Sequence, residues 1–236
     1  MKLFLILLVL TATVAAQQAP RCTGPRFARR SVNIESSLLR VVKSPDRQKR
    51  VYIRHIERPD ATRVLLTAVV GPKRFSLRLD GRGVELLWSP DSRLLAVNLT
   101  NCCTGRDPEL HLFDVSAGGV RKLDITPALT RDFGKDLRCQ KGTTSAQSAA
   151  TAALHWLDDH RLLAAVRVPA GGVCDSPGIF EVREISVPEM RVLNTYNQLQ
   201  AKWEFWHLLG CDLRAADNNC ILHPKSCWNP ALHGKR

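Results

Sequence analysis

The feature that most constrains the fold is an internal repeat centred on tryptophan. The segment Trp88–Val97 (WSPDSRLLAV) recurs as Trp156–Ala165 (WLDDHRLLAA), and Trp, Asp, Arg, Leu, Leu and Ala match in place. Such self-similarity is typical of architectures in which one supersecondary unit is stacked several times. The sequence therefore predicts sister units that pack side by side.

Each unit has the pattern of a β-meander. A strand ends at the tryptophan, and a Ser-Pro-Asp-type turn follows, in which proline presets φ and aspartate bonds its own backbone. An apolar strand comes next, at Leu94–Leu99 or Leu162–Val168, and two further strands follow a loop rich in Gly, Pro and Cys. Short strands between regular turn signals predict a mainly β fold. A degraded earlier unit is predicted over 40–67, where Ser44-Pro45-Asp46 resembles the turn but the apolar second strand is missing.

These motifs resemble the WD40-like β-propeller repeat of the TolB type (PD40). The resemblance is best over 84–124, fair over 153–194 and weak over 40–67. It implies WD40-like meanders that form a small or incomplete propeller, with an open fragment or a β-sandwich of meanders as alternatives. It implies almost nothing about function.

The two ends of the chain differ from the repeats. Met1-Lys2, the apolar run Leu3–Leu10 and small residues up to Ala16 have the pattern of a signal peptide (1–16), too short to span a bilayer. We expect cleavage after Ala16 and a secreted or periplasmic protein. Residues 17–194 form the repeat domain, with an insertion at 125–152 that holds a short helix near Pro127–Phe133. Residues 195–236 are predicted as a helical, Cys-rich cap, with a helix over Tyr196–Leu209 that Gly210 ends.

The cysteines predict disulfide bonds. An even number of cysteines in an exported chain indicates a disulfide framework, whose pairing cannot be deduced from sequence. A zinc site formed by His207, Cys211, Cys220, His223 and Cys227 is the less favoured reading, and we expect neither a metal nor a cofactor. The disulfide candidates are Cys22, Cys102, Cys103, Cys139, Cys174, Cys211, Cys220 and Cys227.

The charge balance favours acidic partners. The chain has 34 Lys and Arg against 22 Asp and Glu, a formal net charge of +12. Loops 101–108 and 169–177 follow equivalent strands, so we expect them on one face, made basic by Arg106, Arg161 and Arg167. A dense basic stretch at Arg47, Lys49, Arg50 and Arg54 does not interleave aromatic residues in the way that single-strand binding prefers, so no specific nucleic acid is expected.

The function predicted from these observations is non-catalytic binding or scaffolding, with an unknown protein or an acidic envelope component as partner. The sequence contains no nucleophile elbow, zinc-protease motif or phosphate loop. The alternative is a hydrolase with its active site in a propeller funnel, but Asp91 and Asp159 are better explained as turn residues. A third hypothesis is docking through Trp203, Trp206 and Trp228. The sequon at Asn98 lies inside an apolar strand, which argues against glycosylation.

Overall fold

The computed structural model describes residues 27–34, 39–57, 62–81, 83–100, 108–116, 118–135, 149–169 and 178–216. The signal peptide prediction lies outside them, as do all cysteines except Cys211. The strands are β1 (Val32–Ile34), β2 (Arg40–Lys43), β3 (Lys49–Glu57), β4 (Thr62–Val70), β5 (Lys73–Asp80), β6 (Gly83–Trp88), β7 (Leu94–Thr100), β8 (Glu109–Ser116), β9 (Gly119–Leu123), β10 (Ala150–Trp156), β11 (Arg161–Arg167), β12 (Phe180–Ser186) and β13 (Arg191–Asn197). The helices are α1 (Thr126–Thr130), α2 (Gln198–Phe205) and α3 (Cys211–Ala215).

The strands form three antiparallel sheets, so the prediction of a mainly β fold built from meanders is confirmed. The first sheet has the order β2-β3-β4-β5, the second β1-β6-β7-β8-β9, and the third β10-β11-β12-β13. Apart from β1, the strands of each sheet are consecutive along the chain. The sheets therefore correspond to three sequence units.

The sheets stack face to face in chain order. One core lies between the first and second sheets and contains Ile53, Leu66 and Val97. A second core lies between the second and third sheets and contains Ala96 and Leu162. Because the second sheet is covered on both faces, every residue of β7 is buried, which explains the continuous apolar run in its sequence.

The Ser-Pro-Asp turn has the same hydrogen bonds in the first two units. Ser89 N donates to Leu94 O at 2.9 Å, and Leu94 N donates back to Ser89 Oγ at 2.8 Å. Ser44 and Lys49 make the same pair of bonds, each at 3.0 Å. The neighbouring turns also meet, since Asp46 N donates to Ser92 Oγ at 2.9 Å. This shared geometry identifies the first sheet as a third copy of the unit.

The bounds predicted for that first copy need correction. The second strand that seemed to be missing is β3, the segment from Thr62 is the third strand, and the unit extends to Asp80. The stretch Phe75–Leu79 belongs to β5 of the first sheet, and Val84–Leu87 belongs to β6 of the second. A strand at the end of a stack is solvated on one face, so β3 alternates instead of being uniformly apolar.

Both predicted helices are present, but their bounds differ from the predicted ones. Helix α1 begins at Thr126, one residue before the predicted Pro127, and ends at Thr130, three residues before the predicted Phe133. Its N-cap is Ile125. Tyr196 lies in β13, and α2 begins only after Asn197, whose side chain forms a capping box with Gln200. Gly210 is the N-cap of α3 rather than a simple helix stop.

The C-terminal helices cover the outer face of the third sheet. Ala201 of α2, Leu209 between the two helices and Leu213 of α3 pack with Phe27 against Leu163 and its neighbours. Gly210 N donates to Phe27 O at 2.6 Å, which ties the N-terminal segment to this layer. The third sheet is therefore buried on both faces, like the second.

The stability of the fold should decrease in mild acid because of His111 on β8. This side chain is 5% exposed, and burial lowers its pKa from the ordinary 6.5, while Glu109 opposes and Lys122 adds to that shift. Below pH 6.5 the unfolded chain takes up a proton before the folded chain does, so the free energy of unfolding falls as pH decreases toward the folded pKa. His111→Phe should flatten this pH dependence in urea titrations. An unchanged slope would mean that other groups cause it, with His155, whose pKa is also lowered, the next to replace.

Candidate functional site

The structure separates two of the arginines that the sequence placed together. Arg161 begins β11 and Arg167 ends it, which puts them about 20 Å apart at 3.3 Å per residue. Only Arg167 is at the end that leads into loop 169–177, so the prediction for Arg161 is corrected. Arg106 lies outside the described residues.

Arg161 has a structural role instead. Its guanidinium donates to Glu184 at 2.9 Å and to Asp158 at 2.6 Å, and the bond from Arg161 lowers the pKa of Asp158. In the preceding unit, Arg93 makes the equivalent bond to Asp114 at 3.0 Å. The repeated arginine therefore fastens the turn to the third strand of its own sheet.

The strongest candidate for a functional site is the outer face of the first sheet. Strand residues alternate between faces, and Val51, Ile53, Val64 and Leu66 point into the core shared with the second sheet. The outward residues of β2 to β5 include six cationic side chains and one acidic one. They are Val41, Lys43, Arg50, Tyr52, Arg54, Ile56, Arg63, Leu65, Thr67, Val69, Arg74, Ser76, Arg78 and Asp80. We call this surface the basic face.

The register places these cations in defined rows. Arg50 is opposite Val69, which is opposite Arg74, and Arg54 is opposite Leu65, which is opposite Arg78. Two strand spacings separate β3 from β5, about 10 Å, and four residues separate the arginines along each strand, about 13 Å. Arg50, Arg54, Arg74 and Arg78 thus mark the corners of a rectangle.

The charge of the basic face is largely uncompensated. Arg63 pairs with Asp80 at 2.8 Å, whereas the other five cations form no ion pair within the part of the chain that the structure describes. Lys43 lies directly opposite Arg50, and like charges in that position destabilise a sheet. The sheet tolerates this repulsion, although an acidic residue in place of either cation would relieve it.

The dense basic stretch of the sequence contributes only in part. Arg50 and Arg54 are exposed on the basic face. Arg47 sits in the turn with a φ of 61°, and Lys49 donates to Ser92 O at 2.6 Å. What the sequence could not show is that β5 brings Arg74 and Arg78 alongside.

A buried polar cluster between the second and third sheets is structural. Asn98 is 0% exposed; its amide donates to Ala153 O at 2.8 Å and accepts from Ala153 N at 2.7 Å. Glu85, beside it, accepts from Phe27 N and Ala28 N, each at 3.1 Å. The folded chain could not accommodate a glycan on this amide, because the amide is buried and makes both bonds to Ala153.

Among the described residues, the acidic, cysteine and histidine candidates from the sequence do not converge on a site; Cys220, His223 and Cys227 lie outside these ranges. Asp91 accepts from Ser89 and Arg93 within its own turn, and Asp159 lies in a turn of another sheet. Cys211 is disulfide-bonded, so it offers no thiolate to a metal. Among the residues that the structure describes, no cluster of three His, Cys, Asp or Glu could hold a metal ion.

The tryptophans divide into core and surface residues. Trp156 is 4% exposed, and its indole donates to Leu87 O of the second sheet at 3.2 Å; Trp88 packs partly buried against the other core. Trp203 of α2 is 85% exposed, Trp206 at the C-cap of this helix is 48% exposed, and Arg214 lies 5.1 Å from the Trp206 ring centroid. Trp228 lies outside the described residues.

Comparisons with known proteins leave the chain without an assigned family. A scan against models of protein families and a search of curated proteins both find no match. Among solved structures, an acylaminoacyl peptidase of Pyrococcus horikoshii superposes with a TM-score of 0.37 at 14% identity, over 68% of this chain and 24% of the peptidase. The chain thus spans about a quarter of that protein, and a TM-score this low does not establish a shared fold or function. No helix in the described ranges has the length and apolar character that a membrane crossing requires.

Proposed function

We propose that this chain is an exported, non-catalytic binding protein, secreted or periplasmic, whose basic face binds an acidic partner of the cell envelope. The observation that carries the proposal is the set of five cations on one sheet face that have no acidic partner among the described residues. Unpaired surface cations raise the local concentration of anions and accelerate their association. A rigid sheet holds these side chains at fixed spacing, which suits recognition.

We also propose that the three sheets are blades of a small or incomplete propeller. The support is their stacking in chain order together with the repeated turn at Ser44 and Ser89. In this arrangement the basic face is the surface that a further blade would cover in a closed ring. Its charge keeps it open to solvent.

Charge reversal on the basic face should abolish binding to anionic polymers. In Arg54→Glu/Arg78→Glu, two cations of the rectangle become carboxylates, and we expect the affinity for heparin at low salt to fall more than about tenfold, because phosphate- or sulfate-type contacts dominate such binding. Fluorescence anisotropy across a salt series measures this loss. The wild type should also lose affinity steadily as salt increases.

The matched control is Arg131→Glu/Arg191→Glu, which changes the net charge equally at two exposed arginines away from the basic face. It should keep most of the affinity. Equal losses in both double variants would show that net charge alone attracts the polymer. If the wild type binds neither anionic polymers nor anionic vesicles even at low salt, the proposed function is wrong.

A further inference from the structure

We propose that the acidic partner is a linear polyanion that lies along β4, between the arginines of β3 and those of β5. This inference rests on the proposed function and adds the shape and class of the ligand. Two kinds of acidic partner have the charge to bind the basic face: an anionic chain and an anionic lipid surface. Three features of the basic face favour the chain.

The first feature is the arrangement of the cations in two parallel lines. Arg50 and Arg54 follow β3, and Arg74 and Arg78 follow β5, with β4 hydrogen-bonded between the two strands. The lines are about 10 Å apart at the backbone. A single extended chain lying between them is reached by guanidinium groups from both sides, and each group can form paired bonds to a sulfate, phosphate or carboxylate.

The second feature is the uncharged track between the lines. The outward residues of β4 that face the rectangle are Leu65, Thr67 and Val69, all half-buried. The Thr67 and Ser76 hydroxyls lie 3.1 Å apart at the middle of the track. Uncharged carbon surface with central hydroxyls can contact a sugar or ester backbone while its acidic groups turn outward to the arginines.

The third feature is the absence of side chains suited to a bilayer on this face. Trp and other large apolar groups anchor proteins at a lipid interface. On the basic face, Tyr52 and Ile56 are half-buried, and the exposed apolar side chains, Val41 at 46% and the adjacent Leu39 at 59%, lie at the β2 edge of the sheet, outside the rectangle of arginines. The exposed Trp203 belongs to α2, which packs on the third sheet, two layers away. The basic face therefore resembles a track for a chain more than a membrane contact.

The discriminating variant is Thr67→Glu, with Thr67→Gln as its isosteric neutral control. Thr67→Glu places a negative charge at the centre of the track and leaves all arginines in place, so it should weaken binding of heparin oligosaccharides at least about tenfold. Thr67→Gln should bind nearly as the wild type does. Thermal unfolding of both variants checks that the sheet is intact.

The length of the ligand supplies a second readout. Heparin disaccharide, tetrasaccharide and octasaccharide are titrated against the wild type, with vesicles containing phosphatidylglycerol as the membrane probe at the same salt. We expect affinity to increase with chain length until the chain passes all four arginines, and then to level off. Vesicles should bind more weakly per mole of accessible anionic charge than the octasaccharide.

The outcomes separate the two proposals. If Thr67→Glu leaves oligosaccharide binding unchanged, or vesicles bind more tightly than every oligosaccharide, the linear-polyanion inference is wrong while acidic binding by the basic face stands. If neither the oligosaccharides nor the vesicles bind the wild type at low salt, the proposed function fails as well. Binding that depends on Thr67 and on chain length supports the inference.

Discussion

Replacing Trp156 with alanine should lower the free energy of unfolding by about 3–5 kcal/mol. The side chain fills the core between the second and third sheets, and its indole donates across that boundary to Leu87 O at 3.2 Å. The substitution removes the packing and also leaves a buried carbonyl without its donor. Urea unfolding followed by circular dichroism measures the change.

Trp203→Ala is the matched control, since it deletes the same side chain at a site that is 85% exposed. It should change the free energy of unfolding by less than about 0.5 kcal/mol. Trp156→Phe should fall between the two, because it keeps most of the apolar volume and loses only the hydrogen bond. If Trp156→Ala cost no more than Trp203→Ala, the stacking of the second and third sheets would be refuted.

The second large effect is expected at Asn98, where alanine should cost about 2–4 kcal/mol. Asn98 satisfies both the N–H and the C=O of Ala153, and each buried polar group left without a partner costs about 1–3 kcal/mol. Asn98→Asp should be at least as harmful, because a carboxylate cannot donate to Ala153 O and stands beside Glu85. The readout is again the denaturant midpoint.

Asn194→Ala tests whether the effect is specific to the buried bridge. Asn194 is exposed and donates to Glu184 at 2.7 Å, so its loss should cost no more than about 1 kcal/mol. Comparable losses for Asn98 and Asn194 would contradict the bridging role of Asn98.

The second and third units could be predicted from sequence because they are buried on both faces. Their apolar strands follow Trp88 and Trp156 directly, and the shared Arg-Leu-Leu-Ala pattern reveals the repeat. The first unit lacked that signal. Its strands are solvated on one face, so apolar and cationic residues alternate along them. For this reason the sequence did not identify β3 as the second strand of the unit, or the basic face as a candidate site.

Other features depend on contacts that no local pattern contains. Asn98 is a polar residue inside an apolar strand, and its role could not be predicted because its partner Ala153 is distant in the chain and lies beside it only when the sheets stack. Arg161 and Arg167 were predicted to make one face basic, but they stand at the two ends of β11. An extended strand carries its two ends to opposite edges of the molecule, so adjacency in the chain misled.

The stack ends in two different ways. At one end, helices seal the third sheet with apolar side chains; at the other, the first sheet ends in guanidinium groups that repel one another. If two molecules associated through their basic faces, their arginines would repel one another. Face-to-face association of two first sheets is therefore disfavoured at low ionic strength. The helices prevent self-association at one end of the stack by covering it, and electrostatic repulsion prevents it at the other. Concentrated salt should weaken that repulsion.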